Sequence, residues 1–471
     1  MNKKKELSFG LAMLILTLVI GIIIGGKVVF KAPLEGMFFL TFIVVICIGM
    51  ALGYGYDDIE TEGFNFVRKG LQPFFIVLAV GGMVSTWMAA GTITSIIYYG
   101  LKIISPQLFL ITTLLLCSIT SLATGTSWGT MATAGVALIT VGEGLGVPAP
   151  LTAGCIICGA YFGDKMSPFS DTTNLAAAVT NTKLMTHVKH MMFEQVPTYI
   201  ITAIIFTFIG FKYKSANLDM ENINLVLNTI SSNFKIGFIA FLPAVLVIVL
   251  LVKKVSPFLS LMIASVAGGA VAIFYQNQSL ASVLKFFYKG FSAETGMKFV
   301  DVLVNRGGVT SMFGTGILMF FALFVSGVLN HIGVMDAFLK PLITKIKSVK
   351  SLTVVTMIVV YFGNGVGGSA SLAAVLAGTF MGPLYKKFRL KSENLSRVIE
   401  SCGTYGGVLM PWNGHAIYAA GTLGVATVAY LPYCFMNYIS PVITLIYGFT
   451  GFSMKKYDDD EICENELELN A

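Results

Sequence analysis

Charge is what this 471-residue sequence has least of. Asp, Glu, Lys and Arg make up 12% of it, about half the ~25% usual in soluble domains. Long stretches lack all four: Phe9–Gly26, Gly36–Tyr56, Gly70–Leu101, Ile103–Gly142, Gly144–Gly163, Val255–Leu284, Gly307–Met335, Ser351–Tyr385 and Ser401–Met454. A bilayer span needs about 20 predominantly apolar residues. A soluble enzyme, a nucleic-acid binder and a disordered scaffold are thereby excluded. A paired cysteine motif is lacking too. Cys155 and Cys158 form a lone C-x-x-C inside an apolar run, so packing outweighs metal or redox chemistry. The first run, after Lys3–Lys5, has no small-residue cleavage site and reads as a transmembrane helix, not a removed signal. The net charge of +7 sits mostly in loops, as the positive-inside bias places it. What is there, then, is an all-α polytopic membrane protein.

An internal repeat organises it. Arg68-Lys69-Gly70 recurs as Arg306-Gly307-Gly308, and Thr124–Thr130 faces Asn364–Ala370. Cys158–Gly163 recurs as Cys402–Gly407, each hexad with a Pro close behind, at Pro168 and Pro411. Three matches in one order at nearly constant offset are hard to attribute to chance. Loop charge orients the copies. Loops 101–106 and 142–150 hold one basic residue, Lys102, whereas their partners at 340–350 and 384–397 hold nine. The bias reverses further on: 181–195 carries Lys183 and Lys189 while 425–433 has none. Corresponding loops then lie on opposite faces, which makes the repeats inverted, a common plan of secondary transporters.

The expected layout is two inverted-topology repeats of about five transmembrane helices each, plus a re-entrant hairpin and a broken helix per repeat. The first repeat spans 1–212, an inter-repeat loop 213–233, the second repeat 234–454, and an acidic, disordered tail 455–471. Segments 107–142 and 352–383 have arms of about 15–17 residues around Gly-rich tips, a length that favours hairpins over full spans. Segments 56–69 and 285–306 read as interfacial helices.

Ionisable groups at membrane depth are rare and usually functional. Gly163–Asn174 interrupts an apolar helix with Asp164, Lys165, Ser167, Pro168, Ser170, Asp171, Thr172, Thr173 and Asn174. Pro168 breaks the ladder, and freed carbonyls with hard oxygen side chains suit an alkali cation. Lys165 is expected to snorkel toward the interface. The second copy, Met410–His415, offers Asn413 and His415; a packing role and a functional one weigh equally for that histidine. Glu400, one turn from Arg397, reads as half of an ion pair. The tips contribute Thr126, Ser127, Asn364, Ser369 and Ser371; helices starting there favour an anionic group, while close packing is the bland alternative. Gly125-Thr126-Ser127-Trp128-Gly129 fits a nucleophile-elbow pattern, but that elbow needs a strand before it, and here apolar helical arms flank it. An enzyme is not expected.

The string Gly-Asp-Lys-Met-Ser-Pro-Phe-Ser-Asp-Thr-Thr-Asn at 163–174 closely resembles the signature of the NhaC-type Na⁺/H⁺ antiporter family, within the ion transporter superfamily. The likeness extends to Thr126–Gly129 and Pro411–Asn413. After Pro-Trp-Asn the chain departs from the pattern with Gly414-His415. The resemblance implies a multi-pass antiporter of the bacterial plasma membrane, exchanging Na⁺ for H⁺. The alternative is Na⁺/H⁺-coupled exchange of small carboxylates of the malate or lactate kind, or of amino acids; a passive channel is a third class. By motif, Asp164, Ser167, Asp171, Thr172, Thr173 and Asn174 form the implied cation and proton site, with Na⁺ at Asp164 and Asp171. No cofactor is expected beyond the transported ions. The expected partners are the lipid bilayer, Na⁺, H⁺, small organic anions and a second copy of the chain, with both termini cytoplasmic.

Overall fold

The computed structural model describes residues 7–103, 105–213 and 220–457. Among them the chain is helical throughout; its sole β pairing is one antiparallel bridge between Leu390 and Lys456. Helices satisfy their backbone hydrogen bonds internally, as a lipid environment demands. Among the described residues, eight are long and apolar enough to cross a bilayer, or ten if each of two sharply bent pairs counts as one span. Their outward faces stay apolar: Phe39, Leu40 and Ile43 are exposed on the Leu34–Ala51 helix, whereas Phe38 and Val45 are buried.

The two halves of the chain interlock rather than sit side by side. Helix Leu71–Ala89 packs on Pro257–Phe274, where the Trp87 indole donates to the Ala264 carbonyl at 3.2 Å and Thr86 meets Ser265. Helix Phe313–His331 lies across Tyr56–Lys69, where a Cβ on Gly327 would press on Gly63 and Phe66. Small residues allow that approach. Phe42 against Phe324, with ring centroids 4.4 Å apart, completes the seam.

Each half contains a helix–tip–helix unit followed by a broken helix. In the first, Pro106–Thr124 turns at Gly125–Thr126 into a helical run that begins at Ser127, passes through a π-type turn at Met131–Gly135 and ends at Gly144. In the second, Val349–Gly367 turns at Gly368–Ser369 into Ala370–Lys387. The arms are longer than the 15–17 residues read from the sequence. Pro106–Thr124 and Val349–Gly367 each have 19 residues and span about 28 Å at 1.5 Å per residue. Length therefore stops favouring re-entrance over a full crossing.

Other expectations also shift. The linker at 213–233 contains a helix, Met220–Asn233. Segment 285–306 is two short helices, Leu280–Lys289 and Lys298–Val304, while Tyr56–Lys69 matches its expected bounds. The tail does not leave the fold at 455: the backbones of Lys455 and Tyr457 bond to Lys391 and Arg389. Residues 458–471, for which disorder was expected, lie outside the described residues.

Candidate functional site

The first break follows from its residues. Pro168 has no N–H to continue the ladder, so Ala149–Met166 stops and Asp171–Val179 restarts under Ser170 as N-cap. The carbonyls freed at Asp164 and Lys165 accept from the Thr173 hydroxyl at 3.3 and 3.1 Å. Asn174 donates to the Pro168 and Ser170 carbonyls, and Ser167 to the Leu122 carbonyl of the hairpin arm. Ser167, Thr173 and Asn174 thus hold the shape of the break. Asp164, 5% exposed, turns toward the tip and accepts the Ser127 hydroxyl at 2.5 Å, the short range of a hydroxyl bonded to a carboxylate. The tip reaches it because Gly125 takes φ +70°, a conformation that costs glycine nothing.

The second break is built differently. Gly368, at φ +61°, ends the first arm. The Asn364 amide donates to the Cys402 and Gly403 carbonyls, and Asn413 donates to both oxygens of Asn364. Asn413 also accepts the His415 amide, capping Gly414–Leu423. Trp412 donates to the Gly365 carbonyl and Gly414 to that of Gly368. Asn364 and Asn413 are fully buried bolts between tip and break. His415 reaches back to the first half: its Nδ1 lies 2.7 Å from the Tyr161 hydroxyl, and its ring stands edge-on to Trp128.

These pieces meet around one cavity of about 550 Å³. Thr126, Ser127, Asp164, Asp171, Thr172, Ser369, Ser371 and His415 all line it. Ser167, Thr173, Asn174, Asn364 and Asn413 stand off its wall. Lys69 and Gln72, which the sequence reading does not select, line it too; their place beside the first repeat match at Arg68–Gly70 is the available signal. The two carboxylates differ, since Asp164 is buried whereas Asp171 is exposed at the start of its helix. As for the elbow pattern, helices flank Ser127 on both sides and its hydroxyl is given to Asp164.

Lys165 is the clearest correction. It does not snorkel: it is 0% exposed, with Nζ 3.1 Å from Glu194 and 3.1 Å from Ser401, over the Tyr405 ring. A carboxylate partner inside the bundle removes the reason to reach for water. Glu194 escapes sequence reasoning because it sits in the long Leu184–Phe211 helix, whose early turns carry polar residues that read as a loop. Glu400 does not pair with Arg397. The guanidinium donates to Ser453, and both Glu400 oxygens are buried without a well-aligned hydrogen bond.

The model of the Na⁺/H⁺ antiporter family matches residues 159–452, a stretch holding both breaks and the second tip. The chain belongs to the Na⁺/H⁺ antiporter family. Its similarity to individual family relatives runs nearly end to end. A malate-2H⁺/Na⁺-lactate antiporter of Bacillus subtilis is 36% identical over 439 residues, covering 93% of this chain and 94% of that one. The Na⁺/H⁺ antiporter NhaC of Alkalihalophilus pseudofirmus is 34% identical, covering 96% and 98%. An arginine/ornithine antiporter, ArcD, of Halobacterium salinarum is 30% identical, covering 100% and 98%. The names of these relatives differ in the organic substrate they give.

Proposed function

We propose that this chain is a secondary antiporter exchanging Na⁺ for H⁺ across a bacterial plasma membrane, with both termini cytoplasmic and halves 1–212 and 234–454 in inverted orientation. One observation carries the reading. A buried carboxylate, Asp164, sits at a helix break, held by a tip hydroxyl, on the wall of a cavity that also holds Asp171. Oxygen donors of this kind suit a small hard cation. A carboxylate that must be deprotonated to hold a cation makes binding and proton release one event. Na⁺ and H⁺ then compete for Asp164, Ser127 and Thr126 lend further oxygens, and Asp171 adds attraction at the more exposed side. Ser167, Thr173 and Asn174 serve the site by keeping the break open. His415 joins the second half to the cavity.

A second reading has its own support. About 550 Å³ is within the usual range for small-molecule pockets, ~300–1,000 Å³, and far more than one Na⁺ fills. Lys69 and the start of helix Ala370–Lys387 at Ser369–Ser371 offer positive ends to a small carboxylate. Na⁺/H⁺-coupled exchange of such an anion uses the same Asp164 site.

Proteoliposomes loaded with a pH dye separate the two. Added NaCl alone moves protons in a pure cation exchanger, whereas the second reading requires malate or lactate as well. No Na⁺-dependent proton movement under either condition contradicts both.

A further inference from the structure

Off the cavity wall, beginning at the residue after Asp164, lies a second polar cluster that the proposed exchange has not used. Lys165, the next residue, contacts Glu194, Ser401 and Ser440 at 3.1, 3.1 and 3.4 Å. Glu194 is further held by Gln195 at 2.6 Å and by Ser401 at 3.1 Å, and Tyr405 donates to Gln195. This part of the cluster is saturated. Its neighbour Glu400 is not. Glu400 directly precedes Ser401, is 1% exposed, and opens a π-type turn at Glu400–Thr404. Neither of its carboxyl oxygens is held by a well-aligned hydrogen bond; the Thr404 hydroxyl, at the end of the same turn, is the one donor that bears on it.

An ionised carboxylate without donors or a paired cation is the costliest group to bury, whereas the neutral acid is tolerated there. Turns of this wider kind are rare in helices and gather at functional sites. We infer that Glu400 is a second proton-binding carboxylate, separate from the Asp164 cavity, and that it adds one proton to each exchange cycle. The inference rests on the antiporter reading and deepens it.

The surroundings explain how the two acids sense each other. The charges that bear on Glu400 are those of Lys165 and Asp164 from the first broken helix and Glu194 from the Leu184–Phe211 helix; Tyr405 faces it from the next turn. Arg397 and Tyr385 face each other one turn away, and Tyr361 faces Cys402. Lys165 therefore follows one acid in the chain, Asp164 on the cavity wall, and bears on the other, Glu400. Na⁺ binding at Asp164 and proton loss at Glu400 are linked through this shared lysine. The step breaks one O–H bond at Glu400 and frees one proton; no other bond changes.

Proton counting tests this. Purified protein in weakly buffered detergent with a pH dye is given NaCl, and the protons released per bound Na⁺ are measured for wild type, Glu400→Gln and Asp164→Asn. Gln mimics the neutral acid, so Glu400→Gln is expected to fold, to bind Na⁺, and to release one proton fewer than wild type. Asp164→Asn is expected to bind no Na⁺. Equal release from wild type and Glu400→Gln overturns the Glu400 inference alone. No release from wild type overturns the antiporter reading instead. If Glu400→Gln cannot be purified, infrared difference spectra of wild type with and without Na⁺ decide. Loss of two carboxylic-acid bands supports the inference, and loss of one overturns it.

Discussion

The two breaks occupy matching places in the two halves and solve opposite problems. Each follows a helix–tip–helix unit whose first arm ends in a left-handed glycine, Gly125 or Gly368. Each tip is fastened to its own broken helix by a side-chain hydrogen bond. In the first half the fastening is Ser127 on Asp164, a hydroxyl on a carboxylate that still faces the cavity. In the second it is Asn413 on Asn364, two buried amides that spend their donors on each other and on backbone carbonyls. The comparison teaches that similar geometry need not mean shared chemistry. Amides hold their charge state at every pH and make a dependable bolt, whereas a carboxylate can exchange a proton for a cation.

Substitutions can break or sharpen that contrast. The largest effect is expected from Asp164→Asn, which turns the first break into a copy of the second. A unit charge in contact with a cation contributes several kcal/mol even at an effective dielectric near ~20, so Na⁺-coupled flux should fall more than about a hundredfold. Flux measured in proteoliposomes, with thermal unfolding to confirm that the variant folds, checks this. Ser127→Ala should come next. It removes a hydrogen bond to a charged group, about 1.5–3 kcal/mol, and should weaken apparent Na⁺ affinity roughly ten- to a hundredfold while leaving the fold intact.

Asn413→Ala should act on stability instead. It strands the Asn364 Oδ1 and the His415 amide, so unfolding should become easier by about 1–3 kcal/mol, read as a lower midpoint in a thermal-shift assay. Apparent Na⁺ affinity of the folded fraction should stay within about twofold, since a residue off the cavity wall changes little of the local field. A hundredfold loss of affinity in this variant would place Asn413 among the ion ligands and dissolve the contrast. Smallest of all should be Asp171→Asn. Its carboxylate is exposed and screened by water, so a loss of about two- to fivefold in Na⁺ affinity is expected, measured at fixed ionic strength.

How far the sequence reveals this arrangement depends on what each residue does locally. Pro168 and the hydroxyl-rich string around it announce the first break, because a proline among polar side chains cannot continue an apolar helix. Gly125 and Gly368 announce the tips for a similar reason. Asp164 and Asp171 look alike in the sequence; their separation into a buried and an exposed carboxylate depends on how Asp171–Val179 restarts after the break. Lys165 misleads because its partner Glu194 is 29 residues away, on a helix whose polar first turns resemble a loop. Asn364 and Asn413 stand out as polar groups at tip and break. Their mutual hydrogen bond spans 49 residues and has no local signature, so a bolt looks the same as a ligand. The hexads Cys158–Gly163 and Cys402–Gly407 mark the repeat without its purpose. A Cβ on Gly163 would collide with Ser118 and Leu122 of the Pro106–Thr124 arm, and one on Gly406 with Tyr361 of the Val349–Gly367 arm. The hexads are where each broken helix presses on its hairpin.

The central claim is that Na⁺ and H⁺ compete for one buried carboxylate, Asp164. Transport in proteoliposomes, titrated with Na⁺ at several pH values, tests it most directly. Competition at Asp164 predicts that the Na⁺ concentration for half-maximal exchange rises at least about tenfold per unit of acidification wherever the site is mostly protonated, and more steeply where Glu400 releases its proton too, because cation binding must release each proton linked to it. A half-maximal concentration that does not change with pH would contradict the account.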